Sequence, residues 1–170
     1  MYTNRGRLIC GVLVLLLAAF LLAKGQRWAW VLLVTPGLLL FGYYRYGTVF
    51  LAFNAYAQRD WSTVRVRLNS VAKPEWLTRE SRAYYTFLSG VAAYQSGDAE
   101  TAERFFAAVD PRALRTDNMR SKFACHYAEA VLASGDVDAA RVHLDTAIAT
   151  PHKADTAEFI ATLQAHLAAA

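Results

Sequence analysis

Gly97-Asp98-Ala99-Glu100-Thr101-Ala102-Glu103-Arg104-Phe105-Phe106 returns 38 residues later as Gly135-Asp136-Val137-Asp138-Ala139-Ala140-Arg141-Val142-His143-Leu144. The same step backwards reaches Arg59-Asp60-Trp61-Ser62-Thr63-Val64-Arg65-Val66-Arg67-Leu68. A turn residue and an Asp open each copy, and small or apolar residues then recur at matched steps. The glycines suit the left-handed position after a helix end, and each Asp is placed to cap the helix that follows. The aligned sets Val64/Ala102/Ala140, Leu68/Phe106/Leu144 and Val71/Val109/Ala147 fall four and three residues apart, which makes one apolar helical stripe. The sets Ala52/Gly90/Ala128 and Ala55/Ala93/Val131 lie upstream and are mostly small, so two helices can approach closely there. Each copy therefore reads as a helical hairpin, with Pro74, Pro111 and Pro151 beyond the second helices.

This pattern resembles the tetratricopeptide repeat: Gly90 at its small first-helix position, Gly97 at the turn, Ala102 at the small second-helix position, Phe106 and Pro111 beyond. The third copy keeps Ala128, Gly135, Ala140, Leu144 and Pro151, whereas the first has Arg59 and Val64 at the Gly and Ala positions. No copy has the family's early Trp, and the period is 38 rather than about 34. The resemblance implies an α-solenoid of about three helix pairs (46–74, 82–111, 120–151). Ala154 to Ala169, apolar on one face through Phe159, Ile160, Leu163 and Leu167, would then be its capping helix. In this family the concave surface comes largely from the first helix of each pair. Here that implies Tyr46, Val49, Phe53 and Tyr56, then Tyr84, Phe87, Val91 and Tyr94, then Lys122, Cys125, Glu129 and Leu132. Such a groove suits a helix or an extended peptide of a partner protein, unless the chain's own last helix or a membrane surface covers it.

Upstream of the repeats, Leu8 to Ala23 and Trp28 to Tyr44 contain no charged residue. The first run would cover roughly 24 Å as a helix, short of a hydrocarbon core of about 30 Å, and Arg7 and Lys24 can extend it by snorkelling. A signal peptide shares the basic-then-apolar pattern, but no small-x-small cleavage site follows and a second apolar run begins at once. Trp28 and Trp30 at one end and Tyr43, Tyr44 and Tyr46 at the other fit interfacial belts, and Pro36-Gly37 would kink the second run or thin it locally. Lys24-Gly25-Gln26-Arg27 leaves room only for a tight turn, so residues 1–45 are expected to form a two-span hairpin with both termini on one side. Gly11, Ala18, Ala19 and Gly37 are the positions in it where another helix could pack closely.

The 170 residues carry a net charge of +4 and are 55% apolar, above the usual share for a soluble domain. Arg5, Arg7, Lys24 and Arg27 account for the whole excess; the remaining 14 basic residues balance all 14 acidic ones. A neutral repeat domain lacks the cationic surface that drives nucleic-acid binding. Residues 45–82 nevertheless hold seven basic against three acidic residues. The Lys/Arg bias favours the cytoplasmic side for both termini and the repeats, with lipid headgroups as a second partner. Cys10 and Cys125 show no metal-ligand spacing, and lying in different regions they are not expected to pair. His126, His143, His152 and His166 belong to no catalytic motif, and neighbours such as Cys125 and His126 diverge by about 100° on a helix. The expectation is an all-α adaptor or scaffold with no cofactor and no enzymatic activity, assembling with a membrane protein or complex. Two alternatives stand beside it: an accessory subunit packed through its hairpin, and a sensor whose groove takes a soluble peptide.

Overall fold

The computed structural model describes residues 48–169, together with Phe20, Leu21, Ala23, Lys24, Gly25 and Val34. The expected spans 8–23 and 28–44, their contact positions Gly11, Ala18, Ala19 and Gly37, and Tyr46 lie almost wholly or wholly outside the described residues. Within them Phe20, Leu21 and Ala23 are helical and Gly25 turns at φ +76°, inside the expected turn. Among the described residues no helix is long and apolar enough to cross a membrane. By its internal contacts the chain divides into two compact units, Met1–Arg45 and Tyr46–Ala170.

The second unit is all-α among the described residues. Its helices are α1 (Val49–Ala57), α2 (Trp61–Asn69), α3 (Arg79–Tyr94), α4 (Ala99–Ala107), α5 (Asp117–Ala133), α6 (Val137–Ala149) and α7 (Ala154–Ala169). The period is visible in the backbone. The second helices begin at Trp61, Ala99 and Val137, and the longer first helices at Arg79 and Asp117, each 38 residues apart. One period beyond Asp117 is residue 155, where α7 has just begun. The last helix therefore occupies the place of a fourth first helix and lies against both α5 and α6.

A two-residue device makes each hairpin. Gly97 N–H donates to Tyr94 O (2.9 Å) and Asp98 N–H to Ala93 O (3.1 Å), closing α3 with a Schellman motif. The Asp98 carboxylate then accepts from Thr101 N–H (2.9 Å) and caps α4. Gly135-Asp136 repeats both bonds between α5 and α6, and Arg59-Asp60 repeats them between α1 and α2. The φ values are +83° at Gly97, +94° at Gly135 and +58° at Arg59, the only positive one among described non-glycine residues.

The connections back to the next pair are more ordered than their sequence suggests. The second helices end at Asn69 and Ala107 before the prolines arrive, and Pro74–Trp76 and Pro111–Ala113 each start a short 3-10 turn. Each turn is followed by a leucine driven into the core, Leu77 at 2% and Leu114 at 0% exposure. Burial of a side chain this size stabilises by roughly 1.5–3 kcal/mol and fixes the connection to the layer below. Thr78 and Thr116 then cap α3 and α5 by accepting from Ser81 and Met119 N–H.

Packing is tightest where the repeat demands small residues. A methyl at Gly90 would lie 2.6 Å from Phe106 Cε1, so only hydrogen fits above that ring. The other copies pair their alanines, Ala52 and Ala128, with the smaller Leu68 and Leu144 at the Phe106 position. At the next equivalent site His166 is exposed, because no second helix follows α7. The core runs continuously from α1 to α5, and α5 also faces a second cluster shared with α6 and α7. Its buried residues consequently surround the helix: Met119 and Phe123 on one side, Cys125, Ala128 and Val131 on the other.

Candidate functional site: the face built by the first helices

The side chains expected to line a groove divide into two groups. Val49, Phe87, Val91 and Cys125 are buried in the core, at 4% exposure or less, and offer no surface to a partner. Phe53, Tyr56, Tyr84, Tyr94, Lys122, Glu129 and Leu132 are half-buried. The reason lies in the reach of Tyr56. From α1 it crosses to α5, 70 residues on in sequence, and its hydroxyl meets His126 Nε2 at 3.0 Å.

Rings from five helices converge at that bond. Tyr56 packs on Phe53 and Trp61 and edge-on to Phe87 (5.7 Å between centroids). His126 lies 5.8 Å from Phe87 and 4.9 Å from Phe159 of α7. The Nδ1 of His126 stands 3.3 Å from Glu129 Oε2, one helical turn away. With the proton on Nδ1, the imidazole donates to Glu129 and accepts from Tyr56 O–H, so both ring nitrogens and the phenol are satisfied. Burial is the largest cause that pushes the Tyr56 phenol well above its ordinary range, which keeps it a donor. The middle of the face is thus filled by the protein's own side chains, and α7 contributes through Phe159.

The half-exposed residues lie around this plug. Phe53 and Tyr84 meet edge-on at 5.5 Å, and the Tyr84 hydroxyl accepts from Arg115 N–H at 3.3 Å. Burial, then the neighbouring Glu129, raises the Tyr94 phenol. Lys122 pairs with Asp155 of α7 at 2.6 Å, and that bond is the main cause drawing the Asp155 carboxyl below its usual range. Asn118 completes the tie by accepting from Lys153 N–H (2.7 Å) and Thr156 O–H (3.0 Å), an N-cap for α7 supplied from α5.

For nucleophilic chemistry the environment is unfavourable. Burial is the chief cause pushing the Cys125 thiol up to about 12, and Cys125 and His126 face different neighbours. His143 stacks on Tyr127 at 3.8 Å, and burial lowers its basicity. Among the described residues no three His, Cys, Asp or Glu side chains gather as metal ligands would. His126 and Glu129 stand three residues apart in the chain, but no local pattern could connect either to Tyr56. In comparison with known proteins, the chain matches no family model, no curated protein and no solved structure.

Proposed function

We propose that this protein is a membrane-anchored helical-repeat adaptor of the tetratricopeptide type. Two N-terminal spans hold it in the membrane, and its repeats engage a protein partner on the cytoplasmic side. One observation carries the reading: three hairpins on a 38-residue period, each closed by a residue in αL geometry and an Asp cap, build a repeating helical stack. Stacked helix pairs of this kind present extended surfaces for binding. The uncharged runs 8–23 and 28–44 supply the anchor.

The partner surface is the aromatic rim rather than the plugged centre. Phe53, Tyr84 and Tyr94 leave ring area accessible, with Leu132, Lys122 and Glu129 adding apolar and charged contacts further along. Aromatic side chains with a polar tip are the residues that carry protein interfaces. The test is co-purification of the full chain in mild detergent. Replacement of Phe53, Tyr84 and Tyr94 by Ala is expected to reduce capture of the principal companion at least about tenfold, with helical content unchanged. Phe87→Ala is unsuitable, because it opens the core. If capture survives the rim changes and is lost when residues 8–44 are exchanged for an unrelated hairpin, the partner binds through the spans and the rim assignment fails.

A further inference from the structure

The two ends of the helical stack differ in chemistry. On α7 the exposed side chains are polar or alanine, among them Asp155, Glu158, Thr162, Gln164 and His166, as the closing helix of a stack requires. On α1 they include Phe50 at 73% and Leu51 at 43% exposure, opposite the buried Val49, Ala52 and Ala55. A helix with apolar residues on every side is ordinarily covered on every side. In a soluble stack Phe50 and Leu51 would be a liability where α7 has none.

Their surroundings define what covers them. Between Thr48 and Pro74 stand Arg59, Arg65, Arg67 and Lys73 against the single acid Asp60; Arg65 donates to Ser96 Oγ at 3.2 Å in the next hairpin, while Arg59 and Lys73 are exposed. Arg59 even occupies a left-handed backbone position that glycine holds in the other copies. Phe50 lies six residues after Tyr44, the last residue of the second uncharged run. Exposed Phe and Leu flanked by Arg and Lys are the composition of a segment lying in an anionic headgroup layer.

We infer that the outer face of α1 docks on the lipid surface, with Phe50 and Leu51 entering the headgroup–acyl boundary and Arg59 and Lys73 meeting anionic phosphates. This rests on the membrane-anchor reading above and extends it, because it makes the first repeat a lipid-binding element in its own right. The rim residues remain with the protein partner.

The experiment uses the full chain, with Cys10→Ser, reconstituted in vesicles of mixed zwitterionic and anionic phospholipid. Buried Cys125 stays unlabelled, and a fluorophore is attached through Phe50→Cys or, as control, through Ala161→Cys on the exposed side of α7. A headgroup-region nitroxide lipid is expected to quench the Phe50→Cys label several-fold more than the control, and aqueous iodide several-fold less. Omitting the anionic lipid should reduce the difference. Equal iodide quenching at both sites overturns the inference, since α1 would then face water. Protection at Phe50→Cys from both quenchers also overturns it, since protein would cover the face, whether residues 1–47 or a second copy. Loss of the chain from vesicles in an alkaline wash is separate: it overturns the anchor reading and this inference with it.

Discussion

Arg59 holds the backbone at φ +58°, where its Cβ crowds the following carbonyl, and Gly97 and Gly135 hold the same turn without that cost. Around both glycines an added Cβ would meet nothing within 4 Å, so the penalty for a side chain at this turn is purely one of backbone conformation. Gly97→Ala and Gly135→Ala should therefore each lower stability by about 1 kcal/mol, whereas Arg59→Gly should be neutral or raise it by up to about the same amount. Thermal denaturation of the three variants reads the sign directly, and a destabilising Arg59→Gly would show that the guanidinium contributes more than the turn loses. Gly90 is small for a different reason. Phe106 is 1% exposed and hemmed in by Phe87, Phe123 and Tyr127, so its ring cannot retreat from an added methyl. Gly90→Ala is expected to cost about 1–3 kcal/mol despite the better helix propensity of alanine. Adding Phe106→Leu, which copies the Ala/Leu pairing of the neighbouring repeats, should recover at least about 1 kcal/mol of that loss in a double-mutant cycle. Additive losses would mean the ring and the methyl do not compete.

At the scale of the helix, the caps connect charge to stability. Hydrogen bonds to Thr63 and Ser62 draw the Asp60 carboxyl down to about 2, and those to Thr101 lower that of Asp98. A carboxyl whose folded value lies below its free value of 3.8 stabilises the fold when ionised. That contribution is complete above about pH 4 and disappears as pH falls from there through the folded value. Asn caps helices as well as Asp does but does not titrate. Asp60→Asn with Asp98→Asn should therefore melt at nearly the wild-type temperature at neutral pH, and lose less than the wild type between about pH 4 and pH 2. Parallel curves would remove the caps as the source of acid sensitivity. The same caps made the helices legible in the sequence, because Gly-Asp at a fixed period marks one helix end and the next helix start within two residues. The last helix, Ala154–Ala169, was legible from its own apolar stripe. The connections were not. Pro74-Glu75-Trp76-Leu77-Thr78 and Pro111-Arg112-Ala113-Leu114-Arg115-Thr116 are one motif, but the second has an extra residue, so their prolines are 37 rather than 38 apart and a strict period hides the buried leucines.

Across the whole stack, sequence could indicate which helix each groove residue sits on but not how tightly the helices curl. A groove read from the period treats Tyr56, Tyr94 and Leu132 as equivalent, yet Tyr56 alone crosses to His126 and fills the space between α1 and α5. The contact spans 70 residues, so it depends on the summed geometry of two hairpins and leaves no local trace. Its consequence is energetic. Repeats that touch only their neighbours unfold by separable steps, and a bond between the first and third pairs ties those steps together. The bond and the rings can be separated by two substitutions. Tyr56→Phe retains the packing but takes the donor from His126 Nε2, a loss of about 1 kcal/mol. Tyr56→Ala also empties the space among Phe53, Trp61, Phe87 and His126, for which about 3–5 kcal/mol is the usual scale. Amide exchange of the full chain in detergent micelles would show where the loss falls. In Tyr56→Ala, protection in α1 and α2 should drop roughly a hundredfold or more, while α5 to α7, held by their own cluster and by the Asn118 and Lys122 ties, keep most of theirs. Tyr56→Phe should move the same amides in the same direction by about fivefold. A uniform fall across all seven helices would instead mean that the stack unfolds as one body, with the Tyr56 plug no more than one contact among many.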